Sequence, residues 1–306
     1  MKLTVTTRQK EGSLMNIAAF DIGGTALKMG VISEQGELRE KGKLSVPDCD
    51  GDKILQGMLD WVSAHPDCEG IAISAPGYVN PTTGYIEMGG AIRQFDHFAL
   101  KAWLEERTGL PVTVENDANC VALAERWQGK VAGIENFLVL TIGTGIGGAI
   151  FCNNQLVHGA RFRAGEFGYM QTARPGTRDV RRYSMNENCT LRVLRHRYAE
   201  HIGSALADVS GEDVFDRYDD GDPVCQRLVT EFFNDLGTGL YNLVNVFDPQ
   251  VIFIGGGIVE RPGFLSLLRH HLAWFGIAEY IDIVSHGNDA GLYGAVYHFN
   301  QQNRTV

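Results

Sequence analysis

Proline is scarce in this chain, with 9 in 306 residues, and basic charge is in deficit. Lys and Arg number 27 against 37 Asp and Glu, a formal net charge of −10. That balance argues against a surface built for nucleic acid or an anionic membrane, while a local basic site could still hold an anionic ligand. No run reaches the roughly 18 apolar residues that a spanning helix needs. The opening MKLTVTTRQKEGSL has no apolar core and does not read as a signal peptide. Residues 1–14 are expected to form a loosely ordered extension, with Met15 an alternative start. The six cysteines (Cys49, Cys68, Cys120, Cys152, Cys189 and Cys225) include no CxxC pair. Reduced thiols in a cytoplasmic protein are therefore expected, and a cysteine zinc site is not. There is no GxxxxGK[ST], no HExxH and no GxSxG. A Walker P-loop, that zinc-protease motif and a nucleophile elbow are thereby set aside.

Glycine is what the chain has in excess: 37 residues, against roughly 21 at average usage. Much of the excess falls in three clusters. Asp21-Ile22-Gly23-Gly24-Thr25 follows the apolar run NIAAFDI, and TIGTGIGG (141–148) follows NFLVLTI. Gly255-Gly256-Gly257 ends the run Val251–Ile254. Bare backbone amides in a tight turn make an anion nest, because glycine tolerates positive φ and presents no Cβ to a phosphate. Each cluster alone fits a plain hairpin turn; all three together point to phosphate binding. Gly143, Gly145 and Gly148 match G-x-G-x-x-G, but a dinucleotide site needs a helix next, and AIFC (149–152) reads as strand.

The periodicity predicts strands at 16–22, 28–33 and 38–46, then an amphipathic helix after Asp50 carrying Ile54, Leu55, Met58, Leu59 and Val62. A buried strand at 69–74, a helix with Leu100, Trp103 and Leu104, a strand at 111–115 and a helix at 117–127 follow. The second half restarts the plan. FDIGGTALKMGVI (20–32) and LTIGTGIGGAIF (140–151) both read strand, glycine turn with Thr, strand, which suggests a duplicated α/β core with facing lobes. Helices are expected to dominate from about 190 to 246.

Candidate acid–base groups lie in Glu115-Asn116-Asp117-Ala118-Asn119, where a strand passes into a helix. Asp117 there suits an N-cap or, between two candidate phosphate nests, a general base. Glu166, in GEFGY (165–169), suits a polyol contact or a solvated turn.

Together, DIGGT (21–25), SAPGYVNPTTG (74–84), VENDANC (114–120), LTIGTGIGGAI (140–150), AGEFGYM (164–170) and DPQVIFIGGGI (248–258) resemble the ROK family of sugar kinases, over nearly all of residues 15–300. The resemblance implies a two-lobed actin-like/hexokinase-type (ribonuclease H-like) ATPase fold. Residues 15–118 plus 290–306 would form a small lobe and 119–289 a large one, with the active site in the cleft between them. It implies ATP and Mg²⁺, with phosphates held by Asp21, Gly23, Gly24, Thr25, Lys28, Thr144 and Gly145. Asp21 would reach the metal through water, and Gly255, Gly256 and Gly257 would line the adenosine pocket. Asn116 and Asp117 would hold the sugar, with Asp117 as general base. Gly77, Gly90, Glu166 and Tyr169 would make further sugar contacts.

The chain departs from the family pattern in one place. Many members carry E-x-G-H, whose His touches the sugar and ligates a zinc, followed by C-x-C-G-x-x-G-C-x-E. Here the His position is Tyr169, the closing Glu aligns with Leu191, and only Cys189 remains in YSMNENCTLR (183–192). One thiol cannot build a tetrahedral site, so no structural zinc is expected. Tyr169 and Leu191 would give a more apolar wall near the sugar's anomeric end and admit a substituent on O1. The acceptor expected is thus a β-glucoside such as cellobiose, phosphorylated on the 6-hydroxyl of its non-reducing glucose. MGGAIRQFD (88–96) and RDVRRYSMNENC (178–189) are similar to family members that act on such sugars. A kinase for free glucose, fructose or an N-acetylhexosamine is the nearest alternative. A non-catalytic sugar-sensing regulator is less favoured, since only 14 residues precede Met15, too few for a helix-turn-helix. An actin-like or chaperone ATPase would need subdomain insertions for which the chain looks too short. Apolar helical surface at 237–247 and 264–275 suggests a homodimer.

Overall fold

The computed structural model describes residues 14–174, 176 and 179–303. The expected extension lies outside them, apart from Leu14. Two five-stranded sheets organise the chain. The first contains β1 (Asn16–Ile22), β2 (Ala26–Ser33), β3 (Leu38–Ser45), β4 (Cys68–Ala75) and β8 (Val112–Asn116), in the order β3-β2-β1-β4-β8. Helix α1 (Gly51–Ala64) connects β3 to β4. Between β4 and β8 lie a small sheet, β5 (Tyr78–Asn80), β6 (Tyr85–Met88) and β7 (Phe98–Ala99), and helix α2 (Leu100–Thr108).

Helix α3 (Asp117–Gln128) leads to the second sheet, made of β9 (Phe137–Ile142), β10 (Ile146–Cys152), β11 (Gln155–Leu156), β12 (Val251–Gly255) and β13 (Ile281–Ile283). Its order is β11-β10-β9-β12-β13. Helices α4 (Met185–Asn188), α5 (Leu191–Ile202), α6 (Gly211–Asp219) and α7 (Pro223–Phe247) come between β11 and β12. Helix α8 (Phe264–Leu272) precedes β13, and α9 (Ala290–Asn303) follows it.

The two sheets have the same plan. β1 and β2 form an antiparallel hairpin paired Asp21 to Lys28, and β9 and β10 form one paired Ile142 to Ile146. Each hairpin is extended by an antiparallel edge strand on one side and two parallel strands on the other. The echo between residues 20–32 and 140–151 is therefore a repeat of topology.

Alternation along the first sheet sends side chains to two cores. Phe20, Ile71 and Ile73 pack with Ile54 and Met58 of α1 and Leu100 and Leu104 of α2. On the other face Ile17, Ala19 and Ala72 meet Leu292, Val296 and Phe299 of α9, together with Cys120 of α3. The second sheet packs Phe137, Val139 and Phe253 into a larger core with α7 and α8. Helices α3 and α9 cross closely. A Cβ on Gly294 would stand 1.7 Å from the Cys120 carbonyl oxygen, so only glycine permits this approach.

Candidate functional site

Asn116 ends β8 and caps α3, its side-chain oxygen accepting from the Asn119 amide at 3.1 Å. Its side-chain amide donates to the Gly77 carbonyl at 2.9 Å. The cap role weighed for Asp117 therefore belongs to its neighbour. Asp117 is the first helical residue, and its carboxylate accepts from the Ala118 amide at 2.8 Å. Burial raises Asp117 to about 6 despite that hydrogen bond, with the Asp21 charge adding to the rise. Glu166, also enclosed, is pushed up to about 7 by burial and by the Asp117 charge, with Arg163 opposing. Two enclosed carboxyls, both raised chiefly by burial, suit proton handling near neutral pH.

Both line a cleft of about 610 Å³, a size suited to a small-molecule ligand. Gly23, Gly24, Gly77, Gly90, Asn116, Thr144, Gly145, Tyr169 and Gly256 line it too. Asp21, Thr25, Lys28, Gly255 and Gly257 are not among the lining residues. Asp21 accepts from Ser74 Oγ at 2.7 Å and pairs with Lys28 Nζ at 2.9 Å. Lys28 also donates to the Asn288 carbonyl at 2.6 Å, so it braces Asp21 against the segment before α9.

The glycine turns differ from expectation in one respect. Of the glycines in the three clusters, only Gly256 has positive φ, at +94°. A Cβ on Gly24 would meet Ala91 at an ordinary 3.5 Å, and one on Gly257 would meet nothing within 4 Å. Openness, rather than a left-handed backbone, is what Gly24 and Gly257 offer, whereas a Cβ on Gly148 would meet the Phe167 ring at 2.2 Å. The turns are closed by their own amides: Gly23 N–H donates to the Ala26 carbonyl at 2.9 Å, and Gly143 N–H to that of Gly145 at 3.0 Å. Gly77 is the contrasting case. Its φ is +90°, and a Cβ there would lie 1.8 Å from the Met88 carbonyl oxygen.

Tyr169 is 47% exposed in the cleft. Burial and a hydrogen bond with Tyr169 push the Tyr78 phenol up to about 12, and the Arg163 guanidinium stacks 4.6 Å from the Tyr78 ring centroid. Leu191 does not join Tyr169 in an apolar wall. It is partly buried against the larger core, where α5 faces α6, and the cleft instead receives Arg181, Glu187 and Arg192. A helix presents successive residues to different faces, so alignment with a sugar-contacting Glu did not place Leu191 in the site. Sequence reasoning also missed Asn186, whose side-chain oxygen accepts from the Ile146 amide at 2.7 Å and fixes the second glycine turn. No spacing signal announces a contact between residues so far apart.

As to metals, among the described residues no group of three or more His, Cys, Asp or Glu is gathered to hold an ion. Asp21, with Ser74 and Lys28 on its two oxygens, fits an outer position around a hydrated cation better than direct ligation. Cys189 is fully buried in the core.

The ROK family matches residues 17–302. A Klebsiella pneumoniae protein named beta-glucoside kinase is 76% identical over 291 residues, covering 95% of this chain and 98% of that protein. A solved Listeria monocytogenes structure, provisionally named an N-acetylmannosamine kinase, superposes with a TM-score of 0.91 at 55% identity. That match covers 95% of this chain and 100% of the other. A ROK family glucokinase from Streptomyces griseus, solved with glucose and AMPPNP, gives a TM-score of 0.78 at 25% identity, covering 92% and 98% of the two chains.

Proposed function

The chain belongs to the ROK family, and from that premise we propose that it is an ATP-dependent β-glucoside kinase. It transfers the γ-phosphoryl group to the 6-hydroxyl of the non-reducing glucose of β-glucosides such as cellobiose. The observation that carries this reading is Asp117, a carboxylate raised to about 6 in a cleft lined by glycine turns from both sheets. The 76% identity to a protein named beta-glucoside kinase supports the choice of acceptor.

Phosphoryl transfer asks the protein mainly for positioning and electrostatic stabilisation. The sugar would lie against Gly77, Gly90, Asn116, Glu166 and Tyr169, which holds its 6-hydroxyl near Asp117. Asp117 takes the hydroxyl proton as the oxygen attacks phosphorus in line, and ADP leaves. The open turns at Gly23–Gly24 and Thr144–Gly145 would receive the phosphates through backbone amides, and Thr25 stands beside the first turn. Gly256, flanked by Gly255 and Gly257, would border the adenosine. Magnesium bound with the nucleotide would neutralise phosphate charge, and Asp21, oriented by Lys28 and Ser74, would hold one of its waters. Substituents on O1 would extend past Tyr169 toward Phe162, Arg181 and Arg192.

The same reading includes a cytoplasmic enzyme that pairs with a second copy. No helix among the described residues is long and apolar enough to cross a membrane. Trp274, Val246 and Tyr241 are exposed at 87%, 73% and 45%, consistent with a dimer surface. The lobe division at about residues 118 and 290 also belongs to this proposal.

The provisional name of the Listeria structure makes an N-acetylhexosamine the alternative acceptor to test. ADP release should be measured with cellobiose, salicin, glucose, fructose, N-acetylglucosamine and N-acetylmannosamine. Cellobiose and salicin are expected to lead, and Asp117→Asn to abolish turnover. Free glucose far ahead of both glucosides would refute the acceptor assignment.

A further inference from the structure

Glu115 precedes Asn116 on β8 and has no exposed surface. Its Oε1 accepts from the Asn116 backbone amide at 2.7 Å and from the Asn119 side-chain amide at 3.0 Å. Its Oε2 accepts from His158 Nε2 at 2.7 Å. One carboxylate thus braces both sides of the Asn116–Asp117 turn and reaches across to the other half of the chain.

His158 follows β11 of the second sheet and opens the loop that ends on Glu166. Its own carbonyl accepts from the Ala164 amide at 3.1 Å, which folds the loop back over the cleft. Phe162, Ala164 and Glu166 of this loop all line the cleft. Among the side-chain hydrogen bonds of the described residues, this carboxylate–imidazole contact is the only tie between the segment carrying Asp117 and the loop carrying Glu166.

We propose that Glu115 and His158 are positioning residues for phosphoryl transfer, a clasp that sets Glu166 against Asp117 across the acceptor site. The proposal rests on the acceptor site assigned above. It does not depend on which sugar occupies that site.

The charge state of the pair follows its surroundings. Burial would raise Glu115, but the His158 hydrogen bond holds it below the usual carboxylate range, helped by charge on His158 and, at low pH where that ring is protonated, on His298. The hydrogen bond to Glu115 raises His158, outweighing its burial. His298, facing the pair from α9, is held below the usual imidazole range by burial. Between the lowered His298 value and the raised His158 value the clasp is then an ion pair beside a neutral histidine. It weakens as pH climbs through the raised His158 value, where the neutral ring still donates one hydrogen bond to the carboxylate.

The test uses the full chain, with Glu115→Gln, His158→Gln and the double variant. Each single variant is expected to lower kcat at least tenfold while KM for ATP stays within twofold. The double variant should recover part of that loss. His158→Gln strands the buried Glu115 charge and Glu115→Gln leaves His158 without its carboxylate, whereas two amides can pair without a charge. Unchanged kcat in both single variants, or a double whose loss is the product of the two, would overturn the proposal. Hydrogen exchange of the unmodified protein between pH 6 and 9 needs neither variant nor substrate. Peptides covering 157–169 should lose protection as His158 deprotonates, and a flat profile would overturn the clasp. If no sugar were phosphorylated while exchange followed His158, the functional reading would fail and the contact would stand.

Discussion

Replacing Asp117 by Asn should move activity and stability in opposite directions. The side chain keeps its shape and can still accept from the Ala118 amide, but it can no longer take a proton. General-base catalysis contributes about 10²- to 10⁴-fold, so kcat should fall by that order. The stability effect follows from linkage. An acid whose folded pKa is raised binds its proton more tightly in the folded state. The resulting destabilisation is absent below the unfolded value near 3.8, develops as pH rises, and is complete above about 6. At about 1.4 kcal/mol per pKa unit the shift corresponds to at most about 3 kcal/mol. Asp117 keeps some surface toward the open cleft, so water screens part of this and about 2 kcal/mol is the better figure. For a chain of this size that is a gain of about 3 °C in Tm. Thermal unfolding at pH 8 and pH 4 reads it directly: Asp117→Asn should melt higher at pH 8 and level with the parent at pH 4. A variant that retained full kcat would remove Asp117 as the base. A variant equally or less stable at pH 8 would refute the claim that burial holds this carboxyl up.

Three further outcomes follow from the same geometry. kcat/KM should rise about tenfold per pH unit below about 6 and level off above 7, because the Asp117–Glu166 pair must lose a proton before the base is available; a flat profile from pH 5 to 8 would contradict it. Gly294→Ala should lower stability by at least about 2 kcal/mol in urea unfolding, since its methyl group would meet the Cys120 carbonyl at 1.7 Å. Tyr169→Ala should raise KM for cellobiose several-fold more than KM for glucose if the phenol borders the O1 substituent; equal changes would move that substituent elsewhere.

The parts of the fold that local pattern can encode were legible. Alternating apolar runs entering glycine turns marked both hairpins, and their shared plan marked the duplication. The residue types at 115–119 marked a strand-to-helix junction with chemistry in it. Contacts set only by tertiary closure were not legible. Nothing near His158 signals a partner 43 residues earlier, and nothing in YSMNENCTLR shows that Leu191 turns toward the core while Arg192 reaches the cleft. The strands β5, β6, β7 and β13 have two to four residues each, too short for periodicity to register. The glycine clusters were located from sequence but for a partly mistaken reason: only Gly256 needs a left-handed backbone, Gly24, Gly143 and Gly257 leave open space, and Gly147 and Gly148 are glycine because a Cβ would meet Thr141 or Phe167.

The packing of α9 on the first sheet has a consequence for how the molecule is made. Ile17, Ala19 and Ala72 are covered by Leu292, Val296 and Phe299, so one face of the earliest sheet is completed by the last helix described. On the ribosome that face must wait, apolar and uncovered, while everything between Asn116 and Ala290 is synthesised. Such an intermediate is prone to aggregation and a natural client for chaperones. Premature termination before α9 would then cost more than a missing helix: it would leave the nascent β1–β4 face permanently open, and the glycine turn after β1 without support.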